Sequence, residues 1–163
     1  MTYIGIDNGV SGAIAVWFDL CEPDLFKMPT AKYGKRNIVD LPRVCHIFDN
    51  AKMPGDTFCI LERAQVLPNQ GAVSGFNYGD SYGSIKGILT ALEIPFEITQ
   101  PKAWQKLMLA GMDRSDTKAA SILRCKQLFP NVSLKATERC TKDDHNMADA
   151  LLMAEYGRRI RNG

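Results

Sequence analysis

The sequence predicts an α/β fold in which helices pack against a mixed β-sheet. The first reason is the opening stretch, TYIGIDNGVSGAIAVWF, in which two β-type apolar runs flank a turn rich in Gly, Asn and Ser. The second is that short strand patterns then alternate with helical patterns along the chain. With 163 residues and 45% hydrophobic content, the chain is large enough for one continuous core. We therefore expect residues 1–163 to form a single domain.

Short apolar runs predict the strands, and apolar residues at helical spacing predict the helices. In the first predicted helix, for example, Leu41, Val44 and Phe48 fall on one face. After the opening hairpin, the predicted elements are a third strand at 25–29, a helix at 37–50, a strand at 56–62, a helical stretch to about residue 92, a strand at 94–99 and helices at about 115–129 and 143–160. The predicted order is therefore ββ(β)αβαβαα.

Composition and charge exclude several classes of protein. Five scattered cysteines form no close pair, so neither a zinc knuckle nor a redox dithiol is indicated, and reduced thiols in a cytoplasm are expected. No apolar run approaches about 18 residues and no signal-peptide pattern is present, so we expect a cytoplasmic protein without a membrane span. The net charge of +2 does not by itself indicate nucleic acid. Positive charge nevertheless collects in three runs, KYGKR (32–36), RCK (124–126) and RRIR (158–161), which fit solvated faces and binding about equally.

Acidic residues stand at the ends of two predicted strands and inside the last helix. Asp7 ends the first strand, and Glu62 ends the strand FCIL in the same way. Ligands usually bind where an α/β sheet opens at the ends of its central strands. Asp149 joins these two acids if the last helix packs on that end of the sheet, with His145 and Asn146 on the same helical face.

Convergence of these acids would require a positive partner. Two carboxylates about 4 Å apart at an effective dielectric near 20 repel by roughly 4 kcal/mol, a serious burden for a marginally stable domain. Mg²⁺ suits such a site, because it takes few carboxylates and completes its shell with water and phosphate oxygens. Two such ions about 4 Å apart promote in-line phosphoryl displacement. Each acid alone is more simply explained as a cap or a surface pair, but the three together favour a metal site.

The chain also carries five strings in a specific order. They are IGIDNGVSGAIAV with Asp7, ILERAQ with Glu62, SGFNYGDSYGSIKGIL, ITQPKAWQK, and ADALLMAEYGRR with Asp149. This ordered set resembles the RuvC-like Holliday junction resolvases of the ribonuclease H-like superfamily, most closely the bacteriophage versions. The resemblance implies a ribonuclease H-like mixed sheet flanked by helices, a homodimer, two Mg²⁺ or Mn²⁺ ions, and symmetric nicking of four-way DNA junctions. If the chain is phage-encoded, its expected location is the host cell cytoplasm.

The resemblance implies four acidic metal-binding positions, and this chain matches only three of them. Asp7, Glu62 and Asp149 match, whereas the fourth position falls on Asn146 or His145. One explanation is that His145 ligates the metal, which would favour Mn²⁺. The other, which we favour, is that Asn146 replaces a native Asp in order to inactivate the site. Asp144 points away from the Asp149 face and is expected to be a helix cap.

Further site residues also follow from the resemblance. Lys118 occupies roughly the place of a functional lysine that would neutralise a phosphate in the transition state. Val66 or Leu67, in the loop RAQVLPNQG directly after Glu62, matches the position of a wedge inserted at the crossover. The DNA-binding set comprises Val66, Leu67, Lys102, Arg114 and Lys118. Each has a plainer explanation, as an exposed cation or a core residue, and Trp104 is expected to be buried.

Five glycines recur every four residues in the middle of the chain, at 71, 75, 79, 83 and 87. A helix that carried them all would lose about 1 kcal/mol at each relative to Ala. On a helix they form a smooth ridge, which indicates a dimer interface or a contact with the DNA backbone. The alternative is a loop through Gly75, followed by a helix that packs close to the sheet.

Together these features predict a metal-dependent, structure-selective endonuclease that nicks opposing strands of a four-way junction. A nuclease of the same fold acting on flaps, forks or RNA–DNA hybrids is one alternative. A branched-DNA binding protein without catalysis is another, and Asn146 gives it weight. An actin-like ATPase or sugar kinase also begins with a strand ending in Asp, but 163 residues are too few for its two lobes.

Overall fold

The computed structural model describes residues 1–19, 21–65 and 71–162. These ranges contain seven strands and five helices, which confirms the predicted α/β class. The strands are β1 Thr2–Asp7, β2 Ala13–Phe18, β3 Asp24–Lys27, β4 Thr30–Tyr33, β5 Arg36–Val39, β6 Thr57–Glu62 and β7 Phe96–Thr99. The helices are α1 Leu41–Ala51, α2 Ala72–Ala91, α3 Pro101–Met108, α4 Thr117–Leu128 and α5 His145–Asn162. No helix within the described ranges is long and apolar enough to cross a membrane.

A five-stranded mixed sheet in the order β3-β2-β1-β6-β7 forms the centre of the fold. The hairpin β1–β2 and its neighbour β3 pair antiparallel, whereas β6 and β7 extend the sheet parallel to β1. Because successive side chains of a strand point to opposite faces, β1 contributes Tyr3 to one core and Ile4 and Ile6 to the other. The first core lies under α3, α4 and α5, and the second lies under α1 and α2.

Helix α5 lies against the centre of the sheet, and small residues allow the close approach. A Cβ atom on Gly5 would lie 2.0 Å from the Ala150 carbonyl oxygen and 2.6 Å from the Ala154 backbone nitrogen. A Cβ on Gly157 would similarly lie 2.9 Å from Ile60 Cγ1. Only glycine fits at Gly5, since both obstructing atoms are backbone. This contact sets where the first turns of α5 sit relative to the end of β1.

Two segments differ from the sequence-based expectation. Residues 36–39 form strand β5 of a small β4–β5 hairpin, so a helix beginning at residue 37 is wrong. The helix begins only at Leu41, because Asp40 caps it by accepting a hydrogen bond from the Arg43 backbone nitrogen. Ile38, which matched the helical spacing, instead pairs with Ala31 across the hairpin. The sequence analysis also missed α3, a short helix that begins with Pro101.

The glycine-rich segment is helical from Ala72 to Ala91, so a loop through Gly75 is wrong. The helix buries Ser81, Ile85 and Leu89 against the sheet. Open space surrounds the positions that a Cβ would take at Gly79, Gly83 and Gly87. These glycines therefore do not serve packing against the sheet. They form a smooth outer face on α2.

Candidate active site

The three acids singled out in the sequence converge at one end of the sheet. Strands β1 and β6 are parallel neighbours with Ile6 opposite Leu61, so Asp7 and Glu62 emerge side by side. Helix α5 packs across β1 and brings Asp149 to the same place. The negative charges of both Glu62 and Asp149 act on Asp7. We call these three side chains the carboxylate cluster.

Burial leaves the cluster with unneutralised charge. It raises the pKa of Asp7 to about 8, with the charges of Glu62 and Asp149 adding to the rise. It raises the pKa of Asp149 to about 7, opposed by the nearby Ser121 hydroxyl. Neither Asp149 Oδ1 nor Ser121 Oγ has a hydrogen-bond partner of good geometry within the described ranges. A buried carboxylate oxygen without a donor is a position that a cation would stabilise.

The chemistry of the cluster fits a hard divalent cation, although its present side-chain positions do not enclose one. Among the described residues, no three His, Cys, Asp or Glu side chains are arranged so that they could hold a metal ion. Glu62 explains part of this, because its Oε1 accepts a hydrogen bond of 2.9 Å from Trp104 Nε1. Ligation by all three acids therefore requires side-chain rotation.

Trp104 is an orienting residue that the sequence analysis did not recognise. Its indole is fully buried, as expected, and the ring nitrogen holds Glu62 at the end of β6. Burial raises the pKa of Glu62, and this hydrogen bond opposes the rise. No local signal identified the pair, because the two residues are 42 positions apart and α3 itself was missed.

Asn146 donates a hydrogen bond rather than presenting a charge. Its Nδ2 lies 2.9 Å from the carbonyl oxygen of Ser11, in the turn between β1 and β2. Lys27 Nζ donates to the same oxygen at 2.6 Å and pairs with Asp144 at 2.8 Å. An Asp at position 146 lacks the amide donor that this contact needs. That Asn146 replaces a native Asp stays a hypothesis.

Lys27 and Asp144 form a charged pair beside the cluster. Asp144 caps α5 as expected, accepting a hydrogen bond from the Asn146 backbone nitrogen at 2.9 Å. Lys27 lowers the pKa of Asp7, whereas Asp144 raises it. Lys27 went unrecognised because it lies 117 residues from Asp144 and ends an edge strand of ordinary composition.

Lys118 and His145 also lie near the cluster, because Lys118 acts on both Asp149 and His145. Lys118 is exposed in the first turn of α4, and its charge lowers the pKa of Asp149. Burial lowers the pKa of His145, and the charges of Lys118 and Lys27 lower it further. His145 therefore favours its neutral, metal-ligating form. Its role as a ligand stays a prediction.

The remaining predicted DNA contacts are more distant from this chemistry. Lys102 is exposed on α3, two residues before Trp104. Arg114 is exposed in the segment between α3 and α4. In the part of the chain that the structure describes, neither forms an ion pair with the cluster. Val66 and Leu67, the predicted wedge, lie outside the described residues.

Helix α2 adds a further group that sequence reasoning missed. Tyr78 has its pKa raised to about 12 by burial and by the charges of Glu62 and Asp7. Asn8, buried directly after Asp7, donates to the Tyr78 carbonyl oxygen at 3.4 Å and accepts from Ser81 Oγ at 3.4 Å. The start of α2 is thereby joined to the turn that follows the first acid.

Comparison with known proteins finds relatives by structure only. No protein-family model matches the chain, and no curated protein sequence does. The structure of Thermus thermophilus RuvC matches with a TM-score of 0.60 and 16% identity over 99% of this chain and 97% of that one. T. thermophilus RuvC in complex with Holliday junction substrate matches with a TM-score of 0.62 and 16% identity over 98% and 96%. The yeast mitochondrial Holliday junction resolvase Ydc2 matches with a TM-score of 0.51 and 12% identity over 98% and 78%.

These matches define the fold. The mixed five-stranded sheet with five helices matches the architecture of these neighbours. The structural neighbours and the fold class are those that the sequence motifs predicted. At 12–16% identity the likeness establishes architecture, and the chemistry depends on this chain's own side chains.

Proposed function

We propose that the protein is a metal-dependent endonuclease that resolves four-way DNA junctions. The observation that carries the proposal is the meeting of Asp7, Glu62 and Asp149 at one end of a ribonuclease H-like sheet, partly buried and, among the described residues, without an ion pair to any cation. The neighbours support the substrate, since one is RuvC in complex with Holliday junction substrate and another is a Holliday junction resolvase. We place the activity in the cytoplasm, that of the host cell if the gene belongs to a phage.

The carboxylate cluster would hold two Mg²⁺ ions, with Mn²⁺ as the alternative. Asp7, Glu62 and Asp149 would be the acidic ligands, with Asn146 Oδ1 and His145 as neutral additions. When bound, such ions activate an attacking water and stabilise the departing 3′ oxygen, so that hydrolysis leaves a 5′ phosphate.

The chain's own side chains would position the substrate and balance its charge. Trp104 Nε1 donates a hydrogen bond to Glu62 at the end of β6, and the charge of Lys118 acts on Asp149. Lys118 is therefore suited to neutralise the negative charge that develops on the phosphate. Lys102 and Arg114 would bind backbone phosphates on either side of the cut. Val66 or Leu67 would open the crossover as an apolar wedge.

Symmetric resolution requires two active sites, and we infer a homodimer. The outer face of α2 suits the two-fold contact, because Gly79, Gly83 and Gly87 are open and Phe76 is 73% exposed. Glycines on both helices would let the backbones approach closely. Gly83→Leu should convert a dimer seen by analytical ultracentrifugation into a folded monomer. Asn131→Leu, which places the same side chain at an exposed position between α4 and α5, is the control.

The deciding experiment is cleavage of a mobile four-way junction with Mg²⁺ or Mn²⁺. Nicks paired across the junction support resolution, and a Y-fork and an RNA–DNA hybrid of matched length test the related nuclease activities. Asp149→Asn is the inactive control. Absence of product from all three substrates with both metals would overturn the proposal.

Asn146 favours a second candidate, a branched-DNA binding protein without catalysis. The Asn146 amide donates a hydrogen bond to the Ser11 carbonyl oxygen, and it supplies no charge at the fourth metal-binding position. The two candidates separate on Asn146→Asp. If the chain binds the junction but neither it nor this variant cuts, the binding protein is the better description.

A further inference from the structure

The three basic runs of the sequence differ in what they do in the folded chain. In the run 124–126, Arg124 donates to the Ala110 carbonyl oxygen at 2.6 Å and Lys126 pairs with Asp143 at 2.6 Å. In the run 158–161, Arg158 and Arg159 both bind Glu155, at 2.7 and 2.8 Å. These two runs serve the fold itself.

The run 32–36 forms the tip of the β4–β5 hairpin and lacks such partners. Lys32, Lys35 and Arg36 are exposed, and within the described ranges none of them forms an ion pair. Gly34 turns the chain with φ of 60°, at the first of the two loop positions, which sets the basic residues at a tight tip. We call residues 30–39 the basic hairpin. Its three cations are available to an external partner.

A cleft lies between the basic hairpin, α2 and the turn that follows Asp7. The cleft has a volume of about 640 Å³. Its lining includes Arg36 and Asn37 of the hairpin, Asn77 and Tyr78 of α2, and the turn from Asn8 to Ser11. That turn begins directly after Asp7, and the charges of Glu62 and Asp7 raise the pKa of Tyr78. A strand lying in the cleft would therefore run from the hairpin towards the acids.

We propose that the basic hairpin and this cleft bind the phosphodiester backbone of the DNA strand that enters the active site. This inference rests on the proposed function and adds to it a substrate-binding arm. Backbone phosphates need cations and neutral donors, and the cleft supplies Arg36 together with Asn37 and Asn77. The cations also offset the negative potential that three buried carboxylates create for an approaching polyanion. An acidic protein is the competing partner for the same surface.

The proposal is tested with Lys35→Gln/Arg36→Gln. The control is Lys52→Gln/Arg161→Gln, which changes the net charge equally at the opposite end of the sheet, where Arg161 stacks on Phe58 and Lys52 ends α1. Binding of a fluorescent four-way junction is measured in Mg²⁺ at several salt concentrations, with Asp7→Asn in every protein to prevent cleavage. Melting temperatures of the same variants with Asp7 intact, measured with and without Mn²⁺, confirm that each variant is folded and retains its metal response.

We expect the hairpin variant to lose about tenfold or more in affinity at 100 mM salt. The slope of log K against log[salt] should fall by about 0.9 for each phosphate contact removed. The control variant should retain both values. Equal losses in the two variants, or none in either, would overturn the inference while the chain still binds and resolves junctions. Failure of the parent chain to bind or cut junctions would overturn the proposed function and this inference together. If the hairpin variant retains junction binding but loses binding of polyglutamate, an acidic protein is the partner instead.

Discussion

Helix α5 carries two acids, the partly exposed Asp149 near its start and the buried Glu155 in its second half, and their surroundings are opposite. Glu155 is only 3% exposed, and Arg158 and Arg159 both bind its carboxylate. These hydrogen bonds hold the pKa of Glu155 below its usual value despite burial. Within the described ranges Asp149 Oδ1 has no such partner, and burial raises the pKa of Asp149 to about 7.

The comparison distinguishes Glu155, an acid that serves the fold, from Asp149, an acid suited to a functional site. A protein that buries a charge for stability normally supplies the counter-charge from its own chain. At Asp149, Asp7 and Glu62 the nearest cations, Lys27 and Lys118, moderate the charge without pairing with it. The positive charge that the carboxylate cluster lacks would therefore come from a ligand or ion that binds there.

The strongest test of this comparison is to replace each acid in turn with its neutral amide. Asp149→Asn should lower the rate of junction cleavage about a thousandfold, equivalent to roughly 4 kcal/mol of transition-state stabilisation. The metal-free protein should lose no stability at pH 8, because an unpaired buried charge has been removed. Single-turnover cleavage and thermal melting measure the two effects. Full activity in the variant would remove Asp149 from the site.

The pH dependence of stability should differ between the two acids. Asp7 and Asp149 have folded pKa values of about 8 and about 7, above the unfolded value near 4. Their contribution is therefore complete below about pH 4 and is lost as the pH rises through about 7 to 8, at about 1.4 kcal/mol per unit of pKa shift. Chemical denaturation of the metal-free protein from pH 4 to 9 measures the loss.

Mg²⁺ provides the control for this pH effect. It should restore stability at pH 8 far more than at pH 5, because it binds the ionised carboxylates. Glu155 has the opposite sign: its pKa is lowered, so its contribution is present above its unfolded pKa and is lost on acidification. Equal Mg²⁺ effects at the two pH values would contradict the assignment.

Glu155→Gln should affect stability and spare catalysis. The variant removes a carboxylate that binds two arginines, and we expect a loss of about 1–3 kcal/mol, limited because both arginines are partly exposed and can rehydrate. Urea denaturation measures the loss, and cleavage below the unfolding range should match the parent. A selective loss of cleavage rate would assign Glu155 a catalytic role.

Trp104→Phe tests the group that orients Glu62. Phe keeps most of the buried volume and removes the indole N–H, so the pKa of Glu62 should rise further and cleavage should slow about tenfold. The pH–rate profile measures the first effect, since its acidic limb should move to higher pH. Leu109→Met, a buried volume-conserving change at the end of the same helix, is the control.

Asn146→Asp should have the smallest effect. It removes the hydrogen bond to the Ser11 carbonyl, worth about 1 kcal/mol, and adds a carboxylate near the cluster. The metal-free protein should lose stability at pH 8, while half-maximal cleavage should need several-fold less Mg²⁺. Titrating Mg²⁺ in the cleavage assay measures the second effect, and an unchanged requirement would place residue 146 outside the metal site.

The parts of the fold that sequence predicts are those governed by local pattern. Because two apolar runs each stop at an acid, the sequence placed Asp7 and Glu62 at strand ends. Helical spacing likewise placed a helix, α5, around Asp149. Local pattern failed where two signals competed: the helical spacing of Ile38 hid the turn at Gly34 and the cap at Asp40. The tertiary contacts carried no local signal at all.

The supporting contacts of the site illustrate this limit. Trp104 with Glu62, Lys27 with Asp144, and Asn146 with Ser11 join residues 42, 117 and 135 positions apart. No periodicity relates residues at such separations, so a single sequence indicates the acids and not the groups that hold them. The raised pKa values depend on the same long-range burial.

Gly5 carries no chemistry, yet it determines whether the chemistry can assemble. Even one added methyl group there would meet the α5 backbone and push the helix outward. Such a shift would carry Asp149 away from its two fellow acids while leaving every acid in the sequence intact. A substitution in mid-strand, two residues before Asp7, would then abolish the proposed activity as completely as loss of a ligand.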